Sequence, residues 1–183
     1  MALLIDILIP TLTERREQLE KLCDEFRKQI GVQPVNIVIC EDNRELTTGA
    51  KRNQLLSMSE AEYVCFFFFF DWPSEKYIEW MIKAAESGMD CASLRGSILI
   101  NDEWRPFFHS RTVQSWYEDG GVYYRYPNHL NLIRREIAQQ VKFPDLTYGE
   151  DHLWSTELHK RGLIKTEFEI PETIYFYPYQ KIK

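Results

Sequence analysis

Five short segments of this 183-residue chain carry side chains able to do chemistry. Pro10-Thr11-Leu12-Thr13, Glu41-Asp42-Asn43 and Asp71-Trp72 each follow an apolar run, and Lys51-Arg52-Asn53 and Gly149-Glu150-Asp151 complete the set. A carboxylate such as Asp151 takes a proton from a hydroxyl when partial burial brings its pKa toward the working pH. Glu150 beside it favours that through like-charge repulsion if both face one site. The guanidinium of Arg52 and the ammonium of Lys51 suit phosphate oxygens, and a carboxylate such as Asp42 accepts N–H donors of a ligand. Each segment also has an ordinary reading. Asp42 serves equally as a loop or capping carboxylate, residues 51–53 as a solvated helix face, and Glu150 and Asp151 as first-turn acids favoured by the helix dipole.

The elements that must position these groups follow from hydropathy. Residues 3–9 form a short β-branched run that reads as a buried strand ended by Pro10. Leu19, Leu22, Cys23, Phe26 and Ile30 recur at helical spacing, which predicts a helix over 13–30 with Thr13 as cap and Gly31 as stop. A strand over 35–40, a helix from about Thr48, a strand over 63–70 and a helix over 75–86 with Ser74 as its cap continue the alternation. Strand–helix units of about thirty residues point to an α/β fold with a mixed, mostly parallel sheet flanked by helices. The second half reads differently. A strand over 91–100, a turn at 101–103 and an aromatic stretch over 104–126 suit antiparallel strands. Helices over 133–141 and 150–161 and a strand over 173–177 follow. In a parallel sheet ligands gather at the carboxyl ends of strands, so three of the polar clusters converge on one edge.

Composition narrows the classes. Twenty-two Lys and Arg against twenty-eight Asp and Glu give a net charge of -6, a poor match to non-specific nucleic-acid binding. Aromatic residues at 14% imply large buried rings and a surface able to stack on a planar or sugar ligand. The four cysteines, Cys23, Cys40, Cys65 and Cys91, are widely spaced and read as buried thiols. With the histidines they show no zinc-ligand spacing. No phosphate-binding glycine motif of the Walker or Rossmann type is present. No segment reads as a signal peptide or a membrane span, so a cytoplasmic protein is expected.

Ile-Leu-Ile-Pro-Thr at 7–11, Val-Ile-Cys-Glu-Asp-Asn at 38–43, Thr-Gly-Ala-Lys-Arg-Asn at 48–53, Glu-Tyr-Val-Cys-Phe-Phe at 62–67 and Gly-Glu-Asp-His-Leu-Trp at 149–154 occur in a telling order. Together they resemble a family 2 glycosyltransferase of the GT-A fold, over about residues 5–160. The resemblance implies one domain over 1–183, with a nucleotide-binding half at 1–90 and an acceptor and catalytic half at 91–183. It implies a nucleotide-sugar donor, most simply a UDP sugar, and a hydroxyl acceptor on a glycan, lipid, protein or modified nucleobase. Pro10, Thr11, Arg15, Glu41, Asp42, Lys51, Arg52 and Asn53 would then hold the donor. Asp151, supported by Glu150, would be the general base of an inverting transfer, and His129 and Trp154 would face the acceptor.

One segment departs from the family pattern. The aspartates that should follow the third strand and hold Mn²⁺ or Mg²⁺ are replaced by Phe68, Phe69 and Phe70, which leaves Asp71 as the single acid there. Phenylalanine cannot ligate a hard cation. Three readings stay open: a transferase with a weakened or metal-independent site, a catalytically impaired relative that binds a nucleotide, an acceptor or a protein, or a run that was introduced.

Overall fold

The computed structural model describes residues 3–178. β1 (Ile5–Leu12) runs two residues past Pro10. Its pairing with β2 (Val35–Asp42) covers the whole strand, whereas β3 (Tyr63–Phe66) pairs only as far as Leu8. Pro10 therefore sits where β1 has one neighbour, the edge-like place at which a strand tolerates a missing N–H. A 3-10 turn at Thr13–Arg15 leads into α1 (Arg16–Ile30), so Thr13 is not the cap. Its hydroxyl instead donates to the Asp42 carbonyl, tying the ends of β1 and β2 together. α1 buries Leu19, Leu22, Cys23 and Phe26 and ends at Gly31, whose φ is 52°.

α2 (Thr48–Met58) is capped by Thr47, which accepts from the Ala50 N–H at 3.1 Å. At Gly49 a Cβ would fall on the Pro144 carbonyl, so only glycine lets this helix approach the segment before α5. β3 has four residues rather than eight, and β4 (Trp72–Pro73) joins a different sheet. α3 (Tyr77–Glu86) follows, with Lys76 rather than Ser74 at its N-cap. β5 (Cys91–Ala92), β6 (Leu94–Ile100), β7 (Glu103–His109), β8 (Tyr117–Asp119) and β9 (Val122–Arg125) come next. The expected helix over 133–141 shrinks to α4 (Arg135–Ala138), because Ile133 is taken into β10 (Ile133–Arg134) between β3 and β5. α5 (Glu150–Lys160), β11 (Glu167–Phe168) and β12 (Thr173–Tyr177) finish the chain.

The strands form two mixed six-stranded sheets, β11-β5-β10-β3-β1-β2 and β4-β12-β6-β7-β9-β8. In the first, β1 is parallel to both neighbours and β10 is antiparallel. Its two faces are both covered, which accounts for the near-continuous apolar runs. Ile5, Ile7 and Ile9 join Leu22, Phe26 and Met81 under α1 and α3, while Leu8, Val64 and Phe66 join Leu55, Phe143 and Trp154 under α2 and α5. Asp6, also buried, is satisfied by Ser59, Glu60, Ala61 and Asn36 and is structural. All four cysteines are free and buried.

Candidate active site

The carboxyl ends of β1 and β2, the start of α2 and the start of α5 enclose a cleft of about 580 Å³. Pro10, Thr11, Arg15, Lys51, Arg52 and Asp151 line it, and Phe68, Phe69 and Phe70 form one wall. The phenylalanine run thus divides. Phe66 and Phe67 leave β3 on opposite faces and enter the two cores, and the last three rings reach the cleft. A second pocket of about 330 Å³ lies alongside, walled by Ile98, Ile100, Phe107, Tyr123 and Leu130. Arg125, His109, His129, Asn128 and Asp71 are among its polar groups. Phe68, Asp151 and Tyr177 border both cavities.

Asp151, in the first turn of α5, has 30% of its side chain exposed at this seam. His129 Nδ1 lies 3.5 Å from its Oδ2. Burial pushes the His129 imidazole well below its ordinary 6.5, and Arg52, His109 and Arg125 push the same way, so the ring is neutral at pH 7. Neither His129 nitrogen has a hydrogen-bond partner among the described residues. Burial, with Arg125, likewise lowers His109 to about 3, and its Nδ1 lies 3.3 Å from Asn131 Oδ1.

Glu150 borders the cleft beside Asp151 but is paired. It is 4% exposed and accepts a hydrogen bond from Arg52 Nε at 3.1 Å. Burial raises its pKa, against the pull of Arg52. Arg52 is 1% exposed, and burial lowers its pKa while Glu150 and Asp151 oppose that. Glu150 is thus the counter-ion that keeps Arg52 in place and does not present a free carboxylate to the cleft.

Four of the expected contacts are not at the cleft surface. Glu41 turns outward to Arg16 at 2.5 Å. Asp42 lies behind Lys51, which donates to it and, at 2.8 Å, to the Thr11 carbonyl. Burial pushes the Asp42 carboxyl up, but Lys51 and the N–H groups of Leu46 and Arg44 outweigh it and hold it below its ordinary value. Asn53 clips the Phe143 backbone, accepting at 2.9 Å and donating at 2.8 Å. Trp154, expected at the acceptor, is a core residue stacked on Phe143 at 4.5 Å, with its indole N–H donating to the Val141 carbonyl.

Asp71 is a further correction. It is 2% exposed, borders the second pocket rather than the cleft, and accepts from the Tyr175 hydroxyl. Burial raises it to about 8 despite that bond, so it is protonated at neutral pH. A neutral, buried carboxyl beside three phenylalanines does not fit a hard divalent cation. Among the described residues no group of three His, Cys, Asp or Glu side chains is arranged to hold an ion.

S. aureus TarS 1-349 in complex with UDP-GlcNAc superposes with a TM-score of 0.68 at 13% identity, over 98% of this chain and 60% of that one. The same segment in complex with UDP gives 0.64 at 14% identity, over 96% and 60%. The fold is GT-A-like. The chain spans about 60% of the length of these neighbours. No protein-family model matches it, and no curated protein does. In this fold the cleft lies where strand ends of an α/β sheet gather ligands. No helix among the described residues is long and apolar enough to cross a membrane.

Sequence reading missed Arg125, Tyr148, Arg44 and Tyr177 as lining groups. Arg125 had a signal: on β9, period-two alternation puts it on the face of Tyr123, and both line the second pocket.

Proposed function

We propose that this chain transfers a sugar from a nucleotide-sugar donor, most simply a UDP sugar, to an acceptor hydroxyl with inversion at the anomeric carbon. The observation that carries the reading is Asp151 at the seam between a cation-lined cleft and a mostly apolar pocket. The donor occupies the cleft, its diphosphate near Arg15, Lys51 and Arg52. The acceptor enters the second pocket and brings its hydroxyl to Asp151. The carboxylate takes the hydroxyl proton as the oxygen bonds to the anomeric carbon, and the bond from that carbon to the diphosphate breaks with its electron pair. Attack from the pocket side, opposite the leaving diphosphate, gives inversion. His129, neutral and without a hydrogen-bond partner among the described residues, offers one nitrogen to the acceptor. The TarS structures with UDP-GlcNAc and UDP support a nucleotide-sugar ligand for this fold.

A second reading has its own observation. Phe68, Phe69 and Phe70 stand where acids were expected, and Asp71 is buried. A binding module that holds a nucleotide without turnover is consistent with both. Incubation with a panel of nucleotide sugars, with and without Mn²⁺, separates the two. Release of nucleoside diphosphate by the wild type and its loss in Asp151→Asn supports transfer. Binding of a donor with no release in either protein supports the module.

A further inference from the structure

Burial alone does not account for the phenylalanine run. The Arg52 guanidinium carbon lies 4.9 Å from the Phe66 ring centroid and 5.1 Å from that of Phe68. The Arg15 guanidinium carbon lies 5.7 Å from Phe69 and 5.3 Å from Phe70. Four of the five rings therefore hold a guanidinium within cation–π range. Arg52 spends Nε on Glu150, yet its buried Nη1 has no hydrogen-bond partner among the described residues. Thr11 Oγ1 and Arg15 Nε, on the same cleft, are also buried and unpartnered. The nearest acid to Arg15, Glu14 at 3.4 Å, makes no hydrogen bond to that Nε. Buried donors without partners are costly, and three of them on one cleft point to a ligand rich in acceptor oxygens.

We propose that this cleft binds the diphosphate of its nucleotide without a metal ion, Arg15 and Arg52 supplying the charge and the phenylalanine rings holding both guanidinium groups in place. Lys51, already paired with Asp42, lends its field from behind. The inference rests on the donor-site reading above. A guanidinium does not lose its proton and is weakly hydrated, so it keeps its charge against aromatic walls where an ammonium would be less suited. As the bond to the anomeric carbon breaks, the electron pair goes to the diphosphate oxygen. The growing negative charge there meets guanidinium N–H groups, while the acceptor proton stays on Asp151. The rings thus take over the work of positioning positive charge that carboxylates perform when they hold a cation.

The test is titration calorimetry of the whole chain with UDP, GDP, CDP and ADP, in EDTA and in Mn²⁺. The tightest of the four should bind equally well in both, and a tightening beyond about threefold with Mn²⁺ overturns the proposal. Arg15→Gln should weaken that diphosphate about tenfold and leave the matching nucleoside unchanged. The double variant Phe69→Leu with Phe70→Leu, which keeps apolar volume and removes the rings, should weaken it about three- to tenfold. Should the double variant not fold, Arg15→Gln decides alone, and an unchanged affinity in it overturns the clamp but leaves the donor site standing. Failure of all four diphosphates to bind in either buffer overturns both the clamp and the donor-site reading.

Discussion

The cleft and the pocket that meet at Asp151 solve opposite electrostatic problems. The cleft gathers Arg15, Lys51 and Arg52, sets an acid beside each in Glu14, Asp42 and Glu150, and still leaves buried donors unspent. The pocket has one cation, Arg125, and holds three other titratable groups in their neutral forms: His109 and His129 without their protons' charge, Asp71 with its proton kept. A site for a polyanion needs fixed cations. A site from which a hydroxyl must lose its proton to a carboxylate is better served by neutral imidazoles and a protonated acid, which leave that carboxylate no strong rival as a base. The difference between the cavities teaches that burial alone does not set charge. Arg52 keeps its charge because Glu150 sits opposite, whereas His129 loses its own to burial, with Arg52, His109 and Arg125 pushing the same way and no acid bonded to it to oppose them.

The sharpest way to break this division is at the seam. Asp151→Asn removes the base and keeps the shape, so transfer should fall by about a hundred- to ten-thousandfold, read as nucleoside diphosphate released. UDP binding should hardly change, because the cations that hold it are untouched. Equal losses in binding and turnover would mean that Asp151 belongs to the cleft alone. Next in size is Arg52→Met. Removing one partner of a buried pair strands Glu150, and urea unfolding should show a loss of about 3–5 kcal/mol. Adding Glu150→Leu should recover much of it, since the pair is then replaced by apolar groups.

How much of this was legible beforehand depends on which forces act. β1, β2, α1 and α3 follow from periodicity, because local pattern and burial agree there. β3 was read too long because Phe66 to Phe70 is uniformly apolar, and nothing in the residue types marks where the chain leaves the sheet. The helix over 133–141 failed because Ile133 fits a helical stripe equally well but is drawn into a sheet built from distant strands. Arg15, Lys51, Arg52 and Asp151 line one cleft, Arg15 just past the end of β1 and the others in the first turns of α2 and α5. Trp154 does not, and α5 carries the reason. Glu150, Trp154 and Leu158 recur at spacings of four and form its buried face, one position off from Asp151.

A smaller effect separates the pocket from the cleft through pH. Folded Asp71 keeps its proton up to about pH 8, whereas in the unfolded chain it titrates near 3.8. Between those values the native state binds more protons, so stability falls as pH rises. His109 and His129 act in the other direction. The unfolded imidazoles take up protons below 6.5, while His109 stays neutral down to about 3, so stability is lost as pH falls through that range. Stability should therefore peak near pH 6.5, on a balance of two imidazoles against one carboxyl. On the alkaline side the net decline to pH 8 should be about 1 kcal/mol, at roughly 1.4 kcal/mol per proton and pH unit, because Asp71 is itself half titrated there and the imidazoles oppose it near 6.5. Asp71→Asn should flatten that limb in urea unfolding and steepen the acid limb, where the two imidazoles then act without the opposing carboxyl. A limb that survives the substitution would place the titrating proton elsewhere.

The smallest effect expected is the most informative about the acidic pair at the end of β2. Adjacent strand residues face opposite ways, so Glu41 and Asp42 cannot both serve one ligand. Glu41 reaches the exposed Arg16, and exposed pairs of this kind contribute little to stability. Glu41→Gln should leave urea unfolding and UDP binding within experimental error. Asp42→Asn should not be silent, although Asp42 is not at the cleft surface. It removes the charge that fixes Lys51 and weakens the bond to Leu46 N–H, at 2.6 Å, that shapes the loop before α2. UDP affinity should drop while the nucleotide keeps its preference over other bases, because the loss acts through Lys51. A variant that instead relaxed the choice among bases would put Asp42 in direct contact with the nucleobase, and the cleft would then have to open around Lys51 when the donor binds.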